Sequence, residues 1–221
     1  MVDVNAQIDA VTRTLRTEEI DGEPTRIQTI AQDYPADIAD VWDATTTADR
    51  IARWFLPVTG DLRLGGRYQL TGNAGGEILA CSPPADGSAE YRITWEFGGG
   101  VTWVTVRLTS IGQDSTRFTL EHIARVADVP EQLWETYGPG ATGVGWDQAV
   151  LGLALHFGTQ DSAISPEEGQ AWALSDEGAA FTRAAADRWA EAHLLAGAEP
   201  ETAARTADAT FAFYTGRTVE D

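Results

Sequence analysis

Tyr91-Arg92-Ile93-Thr94-Trp95-Glu96-Phe97, then Gly98-Gly99-Gly100, then Val101-Thr102-Trp103-Val104-Thr105-Val106: this stretch decides the fold. In the first run Tyr91, Ile93, Trp95 and Phe97 alternate with Arg92, Thr94 and Glu96, the period of a strand with one buried face. The glycines let the next run, Val101 to Ile111, turn back beside it. Thr116 to Ala124 adds a further strand around Gly112-Gln113-Asp114. Strands joined by tight turns pair antiparallel. Upstream, Asp61 to Thr71 reads as a strand, Gly72 to Gly76 as a turn, Glu77 to Ser82 as a strand and Pro83 to Ser88 as a loop. Residues 59–124 therefore form an antiparallel meander.

Before the meander, Val4, Ile8, Val11 and Leu15 have helical spacing, which predicts a short helix or one running into a strand. Two extended runs follow over 17–34, around the turn signal Asp21-Gly22-Glu23-Pro24. Asp37 to Thr45 reads as a helix. Thr47 caps a second short helix, Ala48 to Phe55, closed by Pro57. After the meander, residues 125–140 read as a loop bearing Pro and Gly, and Gly143 to Phe157 as a helix. That helix places Trp146, Val150, Leu153 and Phe157 on one face and Leu151 and Leu155 on the other. A helix apolar all round is covered on both sides. The sheet covers one side. Residues 163–216 are expected to cover the other by folding back on their own domain or across a homodimer interface. In that segment Ser165-Pro166-Glu167-Glu168 is a helix start. Ser175 caps a longer helix ending near Gly197, and Glu199 or Pro200 begins a last one ending near Gly216.

Composition narrows the function. The formal net charge is −19, and every basic residue is Arg. So acidic a surface repels phosphate backbones and anionic bilayers, so neither a nucleic acid nor a membrane is expected as partner. The bland reading of the charge is solubility. Cys81 is the only cysteine, which excludes an intrachain disulfide and agrees with a reducing, cytoplasmic setting. The N-terminus has no basic and apolar run of a signal peptide, and no apolar stretch is long enough to span a bilayer.

Certain segments carry a resemblance. Val41-Trp42-Asp43-Ala44-Thr45, Ala48-Asp49-Arg50-Ile51-Ala52-Arg53-Trp54-Phe55, Asp61-Leu62-Arg63-Leu64-Gly65-Gly66-Arg67-Tyr68, Leu120-Glu121-His122 and Gly145-Trp146 are similar to successive signatures of one branch of the START/Bet v 1-like (SRPBCC) superfamily. That branch is related to the activator of the heat-shock-protein-90 ATPase. The resemblance covers about residues 25–158. It implies an α+β helix-grip fold, a curved antiparallel sheet around a long C-terminal helix, with a cavity between them. It implies no reaction, since the fold serves lipid carriers, cyclases, receptors and co-chaperones. The co-chaperone's second domain has no counterpart here. The division expected is a lead-in over 1–24, a helix-grip domain over 25–158 and a helical extension over 159–221, similar to one found in some bacterial relatives.

Candidate site residues follow from the strands and the helix. Trp95, Phe97 and Trp103 are the candidate cavity wall, with Trp146, Val150 and Leu153 facing them from the helix; plain core packing explains the same aromatics equally well. His122 shares a strand face with Phe118 and Leu120 and is a candidate polar anchor, or simply a satisfied histidine at the wall. Arg63 and Arg67 flank Gly65-Gly66 and could grip a ligand carboxylate, or merely lay their stems over apolar surface. Glu96 is a candidate acid or base. No catalytic residue is assigned. His122, His156 and His193 lack metal-ligand spacing. Asp37, Asp40 and Asp43 read as a solvated face. The glycine clusters open no helix, so they are hairpin turns, not phosphate loops. No metal and no cofactor are expected. The expectation is a module binding a small, mostly apolar molecule. The alternatives are a cavity enzyme of cyclase, hydratase or hydrolase type using His122 or Glu96, and a regulator of a chaperone ATPase that acts through its surface.

Overall fold

Three two-residue turns set the sheet. Asp21 and Gly22 have φ of 53° and 80°, Asp86 and Gly87 51° and 76°, Gly98 and Gly99 62° and 85°. Two consecutive positive φ values give the hairpin turn whose twist matches its strands. In the computed structural model, which describes residues 2–158 and 166–217, these turns join β1 (Thr12–Ile20) to β2 (Glu23–Tyr34), β5 (Gly75–Ala85) to β6 (Ser88–Phe97), and β6 to β7 (Gly100–Gly112). With β3 (Val58–Gly60), β4 (Arg67–Leu70) and β8 (Ser115–Arg125) they form one eight-stranded sheet in the order β1-β2-β8-β7-β6-β5-β4-β3, every neighbouring pair antiparallel.

A short helix, α1 (Val4–Ala10), precedes the sheet. Leu15, given above a helical spacing, lies in β1, so the helix runs into a strand as one of the two readings held. Between β2 and β3 lie α2 (Ile38–Thr46) and a single turn, α3 (Ala48–Ile51). Thr47 does not cap α3 with its side chain; its hydroxyl donates to Asp43 instead.

The structure corrects some boundaries. Asp61 to Thr71 is not one strand: the segment between Gly60 and Arg67 leaves the sheet. Pro83 and Pro84 sit inside β5, at a register shift between Ser82 and Ala85, where the missing N–H groups are tolerated. Residues 125–140 are not a loop. They hold a 3-10 turn, Val126–Asp128, and α4 (Glu131–Tyr137), bounded by Pro130 and by Gly138 at φ 54°.

The long helix, α5 (Gly140–Gly158), crosses the concave face. Its start is tied to β2: Gln28 Nε2 donates to the Pro139 carbonyl at 2.6 Å and the Thr142 hydroxyl to Gln28 Oε1 at 2.5 Å. Farther along, the Tyr34 hydroxyl donates to the Val150 carbonyl at 3.1 Å. Three more helices follow, α6 (Pro166–Ala173), α7 (Asp176–Leu195) and α8 (Pro200–Thr215). Ser165, read above as a helix start, lies outside the described residues. Ser175 does cap α7, accepting from the Gly178 amide at 3.1 Å, and Gly216 ends α8 at φ 65°.

α7 lies directly on α5. A Cβ on Gly143 would come within 2.4 Å of the Trp189 ring, so glycine is required for this approach. Trp189 Nε1 donates to Asp147 Oδ2 at 2.8 Å. Arg13 of β1 grips the same carboxylate, Nε and Nη2 reaching Oδ1 at 3.0 and 2.5 Å. The Arg13 and Asp147 side chains are 3% and 1% exposed. Burial pushes the Asp147 carboxyl above its ordinary value, against the pull of Arg13 and Trp189. Among the described residues no helix is long and apolar enough to cross a membrane.

Candidate functional site

The strand pairing decides what faces α5. Trp95 is opposite Thr102, Ile93 opposite Val104, and Val104 opposite His122. Directly paired residues share a face, so Trp95, Ile93, Val104, Val106, Leu120 and His122 are concave. α5 brings Trp146, Val150 and Leu153 down on them, and Trp54 and Phe55 close one end. The inner cavity has a volume of about 140 Å³.

Its hydroxyls are already used. The Thr45 hydroxyl donates to the Val41 carbonyl at 2.9 Å and the Tyr68 hydroxyl to the Thr94 carbonyl at 2.7 Å. The Tyr91 hydroxyl bonds Thr45. Burial pushes both phenols well above their ordinary range, so they stay neutral. The Cys81 thiol also faces this space. The cavity walls are apolar and carry no charge.

A second, outer groove of about 500 Å³ runs along α5. Phe97 stands at its rim, Leu151 and Leu155 form its floor, and Trp172 of α6 and Tyr214 of α8 roof it. Trp54, Phe55, Trp95, Trp146 and Ala149 line both spaces and form the wall between them. That wall is held in place. The Trp54 indole donates to the Ala44 carbonyl at 2.9 Å, and its own carbonyl rests on Gly152, where a Cβ would come within 2.2 Å. Trp95 and Trp146 meet edge to face, ring centres 4.8 Å apart.

Of the sequence candidates, Trp95, Trp146, Val150 and Leu153 line the inner cavity, while Phe97 and His122 line only the outer groove. Phe97 is largely exposed. His122 is buried, its Nε2 is 2.8 Å from the Thr102 hydroxyl, and burial pushes its pKa down to about 4, so the ring is neutral near pH 7. The other four are corrected. Trp103 is one residue out of phase with Trp95's partner and faces the convex side, under the Arg125 guanidinium at 5.2 Å. Arg67 and Glu96 are also convex; they pair with each other at 2.7 Å, which lowers the Glu96 carboxyl from its ordinary value. Arg63 pairs with Asp61 at 2.7 Å in solvent. None of these three charges reaches the cavity, so neither the carboxylate grip nor a Glu96 acid has a place there. Asp40 and Asp43 both bind Arg50, and among the described residues no group of three His, Cys, Asp or Glu could hold a metal ion. The sequence reading missed Trp54, Phe55, Tyr91, Trp172 and Tyr214. The density of aromatics at Trp54-Phe55 just before Pro57 was the available signal.

A curled antiparallel sheet gripping one long helix across an apolar cavity defines a helix-grip protein of the START/Bet v 1-like superfamily. Within it, this chain belongs to the family described as Activator of Hsp90 ATPase homolog 1-like protein, which matches residues 35–158. The crystal structure of CalU16 from Micromonospora echinospora is 32% identical, covers 86% of this chain and 99% of that one, and superposes with a TM-score of 0.63. Its solution NMR structure, also 32% identical, covers 85% of this chain and 97% of that one, with a TM-score of 0.66. A conserved protein of unknown function from Enterococcus faecalis is 14% identical and shares the fold, covering 77% of this chain and 95% of that one at a TM-score of 0.56. No curated protein sequence matches. A match to CalU16 over 86% of the chain cannot be contained in residues 1–158, so it extends into the C-terminal helices.

Proposed function

We propose that the protein binds a small, mostly apolar molecule between the sheet and α5. The observation that carries this reading is the inner cavity: about 140 Å³, walled by apolar side chains, with its hydroxyls already bonded. An apolar cavity of about 150 Å³ takes up benzene, so one ring is the right scale. Cys81, the only thiol in the chain, makes the test direct. Toluene should raise the melting temperature through linkage. It should also slow modification of Cys81 by a small apolar thiol reagent. Unchanged melting and unchanged Cys81 reactivity across toluene, indole and their homologues, on folded protein, would overturn the reading.

The family's description favours a second reading, regulation of a chaperone ATPase through the surface. Stimulation of a purified Hsp90 ATPase by this chain, unaffected by cavity-filling substitutions, is the result that would put it first.

A further inference from the structure

A molecule confined to the inner cavity is limited to about one ring, yet the outer groove, with about 500 Å³, lies just behind the wall of Trp54, Phe55, Trp95 and Trp146. His122 and Trp146 both line this groove, and each carries a buried nitrogen without a hydrogen-bond partner among the described residues: Nδ1 of His122 and Nε1 of Trp146. Their rings sit edge to face with centres 5.6 Å apart, and the two residues are 5% and 7% exposed. Buried polar groups are almost always satisfied, so two unpaired ones on neighbouring rings mark a place where a partner belongs.

The chemistry of that partner is constrained. An indole N–H only donates. His122 is neutral, because burial drives its pKa down to about 4, so it offers no cation to a carboxylate. The Thr102 hydroxyl gives its own hydrogen to the Trp95 carbonyl at 3.3 Å and so accepts from His122 Nε2, which leaves Nδ1 as an acceptor. A carboxylate accepts only, and an ammonium donates only. A hydroxyl does both, donating to His122 Nδ1 while accepting from Trp146.

Resting on the cavity reading above, we propose that the ligand is an elongated aromatic alcohol or phenol. Its apolar ring fills the inner cavity, its body passes the aromatic wall, and its hydroxyl in the outer groove bonds His122 Nδ1 and Trp146 Nε1. Neither nitrogen touches solvent, so the His122 and Trp146 rings must shift toward the groove for an occupant to reach them.

Three probes test this on the full chain by calorimetric titration: toluene, 4-methylbiphenyl and biphenyl-4-ol. The expected result is that biphenyl-4-ol binds at least tenfold more tightly than 4-methylbiphenyl. His122→Phe should cut that preference below threefold while leaving toluene binding intact. Should His122→Phe fail to fold, the indole N–H resonance of Trp146 in the unmutated protein gives the answer, moving with biphenyl-4-ol and not with 4-methylbiphenyl. If toluene binds but the two biphenyls bind equally, water alone serves the two nitrogens and the proposal is overturned. If toluene binds and neither biphenyl does, the two spaces do not act together and it is likewise overturned. If toluene also fails to bind, the cavity reading falls with it.

Discussion

On one face of α5, Gly143 lies flush against the Trp189 ring and Asp147 holds Arg13 and the Trp189 indole in a solvent-free cluster. On the other, Trp146, Val150 and Leu153 meet the sheet across an unfilled space. Both faces are covered, but the second touches the sheet at pairs such as Trp95–Trp146 while leaving the inner cavity beside them. The difference teaches how one helix can be at once a structural post and a cavity wall. The closely packed face, fixed by a buried ion pair between β1 and α5 and an indole hydrogen bond from α7, holds α5 at its height above the sheet. The loosely packed face can then remain open without the sheet collapsing onto it.

The largest effect should come from breaking the close face. Asp147→Ala strands the Arg13 guanidinium without its partner in the interior, and removing one member of a buried pair costs about 3–5 kcal/mol. Urea unfolding should report a loss of that size, and a loss below about 1 kcal/mol would mean that the cluster is not what holds α5.

Acid should act next, through the groove side. His122 protonates more readily in the unfolded chain than when buried, where its pKa is about 4. The stability owed to its neutral form is thus full above pH ~6.5 and declines as pH falls toward 4, by about 3 kcal/mol in all. The folded chains of wild type and His122→Phe should diverge in pH dependence over that window, measured as the difference in unfolding free energy; parallel curves would show that His122 is not buried in solution.

The smallest effect sharpens the comparison most. Gly143→Ala adds one carbon to the close face, and overpacking there should cost about 1–3 kcal/mol. Val150→Leu adds one carbon to the open face, where the inner cavity receives it. It should cost less than about 1 kcal/mol and lower toluene affinity at least tenfold. Equal costs at the two positions would mean that both faces are packed alike.

The sequence announced this arrangement unevenly. The alternation from Tyr91 to Phe97, the helix apolar on two sides and the Ser175 cap all emerge from local chemistry, and each is where the residues place it. Trp103 was misplaced because alternation fixes phase within a strand but not between strands. Three glycines in a row conceal which two make the turn. With Gly98 and Gly99 in it, Phe97 pairs with Gly100 and Trp95 with Thr102, which sends Trp103 outward. Arg67 and Glu96 follow the same rule from β4 and β6, each one residue away from an inward neighbour, Tyr68 and Trp95. α4 was hidden because Pro130 and Gly138, its boundary residues, also read as loop. The two-compartment site was not legible at all, since Trp54, Trp172 and Tyr214 meet only through tertiary packing.

The Arg13–Asp147–Trp189 cluster also sets an order of events in synthesis. Arg13 and Asp147 are 134 residues apart, and Trp189 comes 42 residues after Asp147. A chain emerging N-terminus first therefore exposes β1 and the meander long before Asp147 arrives, and keeps the α5 carboxylate and the Gly143 face without their α7 partner until Trp189 follows. Contacts of such sequence separation close late and slowly, and surfaces left open meanwhile invite association between nascent chains. The residue that locks the finished protein is thus the one that keeps its precursor incomplete for longest.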